Sequence, residues 1–348
     1  MTIIVFLLLL SVTMVIILRC MWIRESKLRR YFIKLCITGF TFILLFLVVE
    51  VFFRFFVIQT DNLGFTLAAK LWYSKYWIPI NSFGYRDIEH TKPSLNGKKI
   101  IFVVGDSFVA GAGIKNYKDR FSNILQKNLG EDYVTINIAR PGWATEDEYN
   151  AILSYPYKPD IIILSYNWTD IEGSAKKMGI DINKYKSTIP SPTSGIIKYF
   201  FNTSYFFNYC YYRLYRFYKS NDITQIYSNF LDCPSNEMIW QDHKKSLFNI
   251  ISYAKNQNIE LIVVVFPFLR PRHAIIFSKN FSTKIVDFMN FNKVTVIDLT
   301  DKLIGRNPQE LIVNSFDSHP SVKLHKEIAN LLVEYVYQVE NKHKENIF

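Results

Sequence analysis

Apolar and polar positions follow two different patterns along this chain. Near the start the apolar runs are long: Thr2–Leu18 is uncharged and mostly apolar, and a second run extends from about Leu35 to Phe53. Each is close to the length that crosses a bilayer as a helix. Beyond Lys98 the runs are short, β-branched and bounded by turn residues, and stretches of helical period separate them. Strands are expected at Ile100–Val104, Val134–Ile138, Asp160–Tyr166, Glu260–Phe266 and Val294–Leu299. Helices are expected near Asp119–Leu129, Glu146–Leu153, Gln241–Gln257, Ser278–Asn290 and Ser321–Glu340. Strands that are apolar throughout are buried on both faces, and strict strand–helix alternation implies a parallel sheet. The expected architecture is a transmembrane hairpin over residues 1–58, a connector over 59–97 and a three-layer α/β/α domain over 98–341.

The hairpin has a direction. Arg19, Arg24, Lys27, Arg29, Arg30 and Lys34 lie between the two runs against the single acid Glu25. Loops of this charge stay in the cytoplasm, which puts everything after Ile58 on the periplasmic or extracellular side. A cleaved signal peptide would carry a basic n-region and a small-residue cleavage site, and neither is present. Glu50 and Arg54 stand four apart, able to pair on one helix face. In the connector, Trp72, Tyr73, Tyr76 and Trp77 suit an interfacial position or packing on the following domain.

Between Gly173 and Trp240 the strand–helix alternation lapses. Lys198–Lys219 is about half aromatic, with Arg213 and Arg216 interleaved. Packing as an insertion helix on the domain is the favoured reading. A lid or membrane-facing flap, or a surface that stacks on sugar rings, are the alternatives.

Composition narrows the partners. Lys and Arg number 41 against 30 Asp and Glu, a formal charge of +11 spread along the chain rather than gathered in one arm. That favours anionic surroundings such as headgroups or acidic glycans over nucleic acid, for which no recognition motif is present. Of the four cysteines, Cys20 and Cys36 fall in the hairpin, while Cys210 and Cys233 are able to pair but make no disulfide framework. No metal-ligand spacing appears, and no cofactor is expected.

Two stretches carry candidate chemistry. The strand at Ile100–Val104 stops at Gly105-Asp106-Ser107, which places Ser107 in a sharp turn at a strand's carboxyl end, where open α/β sheets bind ligands. Asp317 and His319 lie two apart just before the last helical stretch. A serine hydroxyl needs a base to take its proton, and that base needs a carboxylate to fix its tautomer. Among the six histidines only His319 has this carboxylate spacing.

The GDS turn, the lone Gly142 after the second strand, the DSHP run at Asp317–Pro320 and the NSFGYRD lead-in at Asn81–Asp87 together resemble the SGNH (GDSL-like) hydrolases over about residues 81–341. The resemblance implies a flavodoxin-like fold with five parallel strands, Ser107 as nucleophile, His319 as base and Asp317 as its partner. It also implies an oxyanion hole from the amides of Ser107 and Gly142 plus a third donor. Family members place an asparagine before the aspartate of the third block. Here the segment reads KPDIIILSYNWTDI, so that position holds Thr169, with Asn167 two residues earlier. Register from Pro159 to Asp170 favours Thr169, and Asn167 is the other candidate. The implied function is a membrane-anchored esterase or acyltransferase acting on O-acyl groups of an envelope glycan or lipid. The alternative is a non-catalytic module of the same fold tethered to an envelope complex.

Overall fold

A computed structural model describes residues 2–23, 25–62, 64–179, 192, 194–218, 236–269 and 272–345. Arg24 and Cys233, and with Cys233 any pairing to Cys210, lie outside the described residues. The chain divides into two compact units, Met1–Ser74 with Ile189–Ser220, and Lys75–Thr188 with Asn221–Phe348.

In the first unit, α1 (Thr2–Met21) and α2 (Lys27–Phe56) are both long and apolar enough to cross a membrane. Both outrun the expected spans: α1 runs on through Arg19–Met21, and α2 begins at Lys27 because the basic segment from Lys27 to Lys34 is helical rather than a loop. Ser26 caps α2 by accepting from the Arg29 amide at 3.1 Å. The Arg29 guanidinium turns back to donate to the carbonyls of Cys20 (2.8 Å) and Met21 (2.7 Å), filling two of the orphan acceptors at the end of α1. A third helix, α3 (Leu67–Tyr76), occupies the expected connector, with Trp72 buried on it rather than exposed as an interfacial aromatic.

The second unit is the α/β domain. Its sheet holds β1 (Lys99–Gly105), β2 (Tyr133–Ala139), β3 (Ile161–Tyr166), β4 (Glu260–Val265) and β5 (Thr295–Asp298), all parallel, in the order β2-β1-β3-β4-β5. Side chains alternate across each strand, so one strand feeds two cores. Phe102 and Val104 of β1 enter the core shared with Ala151, Ile152, Leu247, Ile250 and Ile285. Ile101 and Val103 enter the opposite one, with Phe121, Leu125, Leu324, Ile328 and Leu332. Full burial on both faces is why β1 reads as an unbroken apolar run. The covering helices are α4 (Ser107–Ala110), α5 (Phe121–Leu129), α6 (Thr145–Ser154), α7 (Glu172–Lys177), then α10 (Glu237–Asn256), α11 (Arg272–Phe291) and α12 (Val322–Glu345). Returning to the first unit, α8 (Gly195–Thr203) and α9 (Tyr205–Tyr218) form the aromatic stretch. Where the sequence favoured packing on the α/β domain, these helices meet α2: Phe206 packs on Phe46 and Phe53, and Tyr209 on Phe53.

Strand order reverses about β1, since β2 lies on one side of it and β3 on the other. The carboxyl ends of β1 and β3 are thus a topological switch point, the place where such sheets leave a crevice.

Candidate functional site

Ser107 leaves β1 through a turn that only glycine permits. A Cβ on Gly105 would lie 2.5 Å from Val109 Cγ2 and 3.1 Å from Ser165 Cβ, so the strand end tolerates no side chain. Asp106 then caps α4, its Oδ1 accepting from the Phe108 amide at 2.8 Å. Ser107 is the first residue of α4, where the amide has no intrahelical acceptor and stays available to a ligand.

The expected lead-in holds this turn from beneath. Arg86, 1% exposed, donates to the carbonyls of Gly111 (2.6 Å), Ile114 (2.7 Å) and Ala110 (3.3 Å). Asp87 accepts from the Asn137 amide at 2.9 Å and pairs with Arg120 at 3.3 Å. Asn137 in turn donates to the Val109 carbonyl at 3.0 Å. The stretch from Val109 to Ile114 is therefore tied to β2 and to the lead-in through buried hydrogen bonds.

Asp317 and His319 arrive on a short antiparallel pair, β6 (Ile312–Asn314) and β7 (Asp317–Pro320), where the sequence suggested a loop. Asn314 closes the turn by accepting from the amides of Phe316 (2.8 Å) and Asp317 (3.1 Å). Ser321 starts α12 by accepting from the Leu324 amide at 3.2 Å. Held at both ends, β7 presents His319 to the switch point.

Structure brings Ser107, His319 and Asp317 together. His319 Nε2 lies 2.8 Å from Ser107 Oγ, and His319 Nδ1 is hydrogen-bonded to Asp317 Oδ1. Asp317 Oδ1 also accepts the His319 amide at 3.1 Å. With Nδ1 carrying its proton toward the carboxylate, neutral His319 leaves Nε2 as an acceptor facing the serine hydroxyl. Asp317 and Ser107 are buried, and the Phe108 ring meets the imidazole edge-on at 5.6 Å. Burial pulls the His319 pKa down; the charge and hydrogen bond of Asp317, with Asp106 behind them, overcome that and leave it above the usual 6.5. His243 and His325 contrast with it: burial pushes each down to about 3, and they serve as neutral partners of Tyr166 and of the Phe121 amide.

Gly142 sits at the third position of a turn closed by the Trp143 amide on the Arg140 carbonyl at 3.3 Å. Its φ of 81° follows Pro141, the pattern of a type II turn that needs glycine there. Register brings the turn toward the serine, since Gly105, two residues before Ser107, pairs with Ala139, three residues before Gly142.

Asn167 and Thr169 do not share an extended strand, because the chain turns into a helical turn over Trp168–Ile171 directly after Asn167. Strand alternation therefore no longer relates their side chains. Val104 pairs with Leu164, and both segments leave the sheet within three residues of that pair, at Ser107 and Asn167. Asn167 Oδ1 accepts from the Thr169 amide (2.8 Å) and hydroxyl (2.7 Å), which fixes the amide's orientation and turns Nδ2 the other way. Nδ2 is buried and has no partner among the described residues. The Thr169 hydroxyl is already engaged by Asn167 and lies 3.3 Å from Asp106 Oδ2.

Behind this wall stands a carboxyl cluster that sequence reasoning missed. Asp170 accepts the Asn167 amide through Oδ2, and Glu148 of α6 is buried close enough for the two carboxyls to influence each other's titration. Glu148 Oε1 and Oε2 and Asp170 Oδ1 have no partner among the described residues, and one proton shared between the two carboxyls would link one oxygen of each. Burial first, then the charges of Asp106 and Asp147 for Glu148 and of Glu148 and Asp106 for Asp170, push both carboxyls well above the ordinary range. No sequence period connects these residues, because Asp106, Glu148 and Asp170 meet only through the packing of β1, α6 and β3.

No family model matches the chain, and no curated relative does. Among solved structures it is similar to the psychrotrophic esterase EstA from Pseudoalteromonas sp. at 13% identity (TM-score 0.40, 70% of this chain and 100% of that one). A carbohydrate acetylesterase family member from Sinorhizobium meliloti aligns at 12% identity (TM-score 0.40, 69% and 98%). The lipase/acylhydrolase from Enterococcus faecalis aligns at 13% (TM-score 0.41, 68% and 95%). At scores of this size the site is read from its own geometry.

Proposed function

We propose that this chain is a membrane-anchored serine esterase or O-acyltransferase of the SGNH type. One observation carries the reading: a buried serine hydroxyl 2.8 Å from an imidazole whose other nitrogen is held by a buried carboxylate. Ser107 Oγ attacks the ester carbonyl carbon while His319 Nε2 takes its proton. The negative charge that develops on the carbonyl oxygen is met by the amides of Ser107 and Gly142 and by the side-chain amide of Asn167, with Thr169 holding that amide in place. His319 then delivers its proton to the departing alkoxide as the acyl C–O bond breaks, leaving an acyl-serine. Water or an acceptor hydroxyl attacks that intermediate by the reverse of the same steps, and Ser107 is released. The imidazolium formed twice in this cycle is stabilised by Asp317.

The two apolar helices support anchoring, and the basic residues between them support a cytoplasmic turn with the α/β domain on the other side. A reporter active only outside the cytoplasm should then work when fused after Phe348 and stay silent in the basic turn. The net charge of +11 fits an anionic envelope, so the proposed substrate is an O-acylated envelope glycan or lipid. Turnover of a nitrophenyl acetate tests the chemistry. Ser107→Ala should lower kcat by about 10⁶, and equal turnover by the variant would reassign the nucleophile.

A further inference from the structure

We infer that α8 and α9 form a re-entrant hairpin that dips into the bilayer leaflet at the C-terminal end of α2, docked there by Glu50. This rests on the proposed reading of α1 and α2 as membrane spans. Glu50 is fully buried on α2. It does not pair with Arg54, which instead lies over the Tyr205 ring. Its carboxylate accepts from Ser204 Oγ (2.7 Å) and from the amides of Tyr205 (3.0 Å) and Phe206 (3.2 Å), at the turn between α8 and α9. Glu50 stands six residues before the end of α2 at Phe56, so the turn lies about 9 Å along the helix axis from that end.

Ring contacts give the hairpin its direction. Phe206 packs on Phe46 and Phe53, Tyr209 packs on Phe53, and the Tyr212 hydroxyl donates to the Asp61 carbonyl at 3.0 Å, beyond α2. Helix α9 therefore runs outward along α2, while Phe200 of α8 meets Phe6 of α1, whose ring packs on Phe46.

Hydrocarbon tolerates a turn only where the backbone is satisfied from within the protein. Here the first donors of α9 are all taken. Tyr205 and Phe206 go to Glu50, Phe207 to Ser204 Oγ (3.1 Å) and Asn208 to the Ser204 carbonyl (3.0 Å). Ser204 donates its amide to the Phe200 carbonyl at 2.8 Å, and Asn208 Nδ2 covers the Phe201 carbonyl at 2.9 Å. The negative charge of Glu50 rests at the positive end of a 14-residue helix. Ile196 and Ile197 on α8 are exposed apolar side chains, as are Phe42, Leu45 and Phe52 on α2. Lipid acyl chains are the occupant that covers both surfaces at once.

The test places single spin labels on the full chain in phosphatidylethanolamine–phosphatidylglycerol vesicles, with Cys20, Cys36, Cys210 and Cys233 replaced by serine. Labels go at Phe42 for the span, at Ile197 for the hairpin and at Asn290 as an aqueous control. Collisions with oxygen, which concentrates among acyl chains, are compared with those of a water-soluble nickel chelate. The inference requires Phe42 and Ile197 to be oxygen-accessible and chelate-protected, with Asn290 the reverse. A chelate-accessible Ile197 beside a protected Phe42 overturns the hairpin and leaves the spans standing. A chelate-accessible Phe42 overturns the membrane reading and the inference with it. Glu50→Ala should cost Ile197 its chelate protection while leaving Phe42 unchanged, and retained protection at Ile197 would refute Glu50 as the dock.

Discussion

The third oxyanion donor is the part of the site most open to a quantitative test, because two neighbouring side chains make different contacts. Asn167 Nδ2 is buried without a partner among the described residues, whereas the Thr169 hydroxyl spends its proton on Asn167 Oδ1 at 2.7 Å. Its other neighbour, Asp106 Oδ2, lies at 3.3 Å, beyond the ordinary range for a hydroxyl donor. Removing a donor that acts only on the transition state costs about 3–4 kcal/mol, or 10²–10³ in kcat, with KM little changed. Asn167→Ala should show that loss. Asn167→Asp keeps the Oδ1 that caps Trp168–Ile171 but sets an anionic oxygen in the donor's place, so its loss should be at least as large as that of Asn167→Ala. Thr169→Val removes one positioning hydrogen bond of about 0.5–1.5 kcal/mol, and the Thr169 amide still holds Asn167 at 2.8 Å. That variant should lose about two- to tenfold in kcat. Initial rates on nitrophenyl acetate across substrate concentration separate kcat from KM, and thermal melting confirms that each variant is folded. A Thr169→Val loss equal to that of Asn167→Asp would refute the assignment, as would an Asn167 effect confined to KM.

Two further predictions follow from titration. The acid limb of kcat/KM for the wild type should fall above 6.5, because activity appears only as pH rises through the elevated His319 pKa and frees Nε2. Asp317→Asn leaves burial as the main influence and should carry that limb below 6.5 while lowering kcat by about 10⁴; an unmoved limb would contradict the pairing. The Glu148–Asp170 pair holds its proton more tightly folded than unfolded, so its contribution to stability is full below the ordinary carboxylate pKa of 4.5 and is lost as pH rises above it. Glu148→Gln mimics the protonated acid, and its Tm advantage over wild type should grow between about pH 5 and about pH 8; a gap that shrinks with pH would count against a shared proton.

What the sequence made legible were features written locally. The β1 run is apolar because both its faces are buried, and the Asp317–His319 spacing brings carboxylate and imidazole together within one short strand. Contacts between distant segments were not legible. Alternation failed at Asn167, because its side chain caps a helical turn and ends the extended backbone there. Nothing in the NSFGYRD lead-in announces that Arg86 would bind the carbonyls of Ala110, Gly111 and Ile114. The aromatic content of Lys198–Lys219 was plain, yet an aromatic face fits an α/β domain or a membrane helix equally well. Glu50, read as a partner for Arg54, decides between them through three donors about 150 residues away.

Covalent labelling with a serine-reactive fluorophosphonate tests the central claim most directly, because it reports the activated nucleophile without knowledge of the acyl group or acceptor. The full chain in membranes should label once, with the modified peptide mapping to Ser107, and labelling should be lost in Ser107→Ala and His319→Ala. Equal labelling of Ser107→Ala, or an unlabelled wild type, would contradict it.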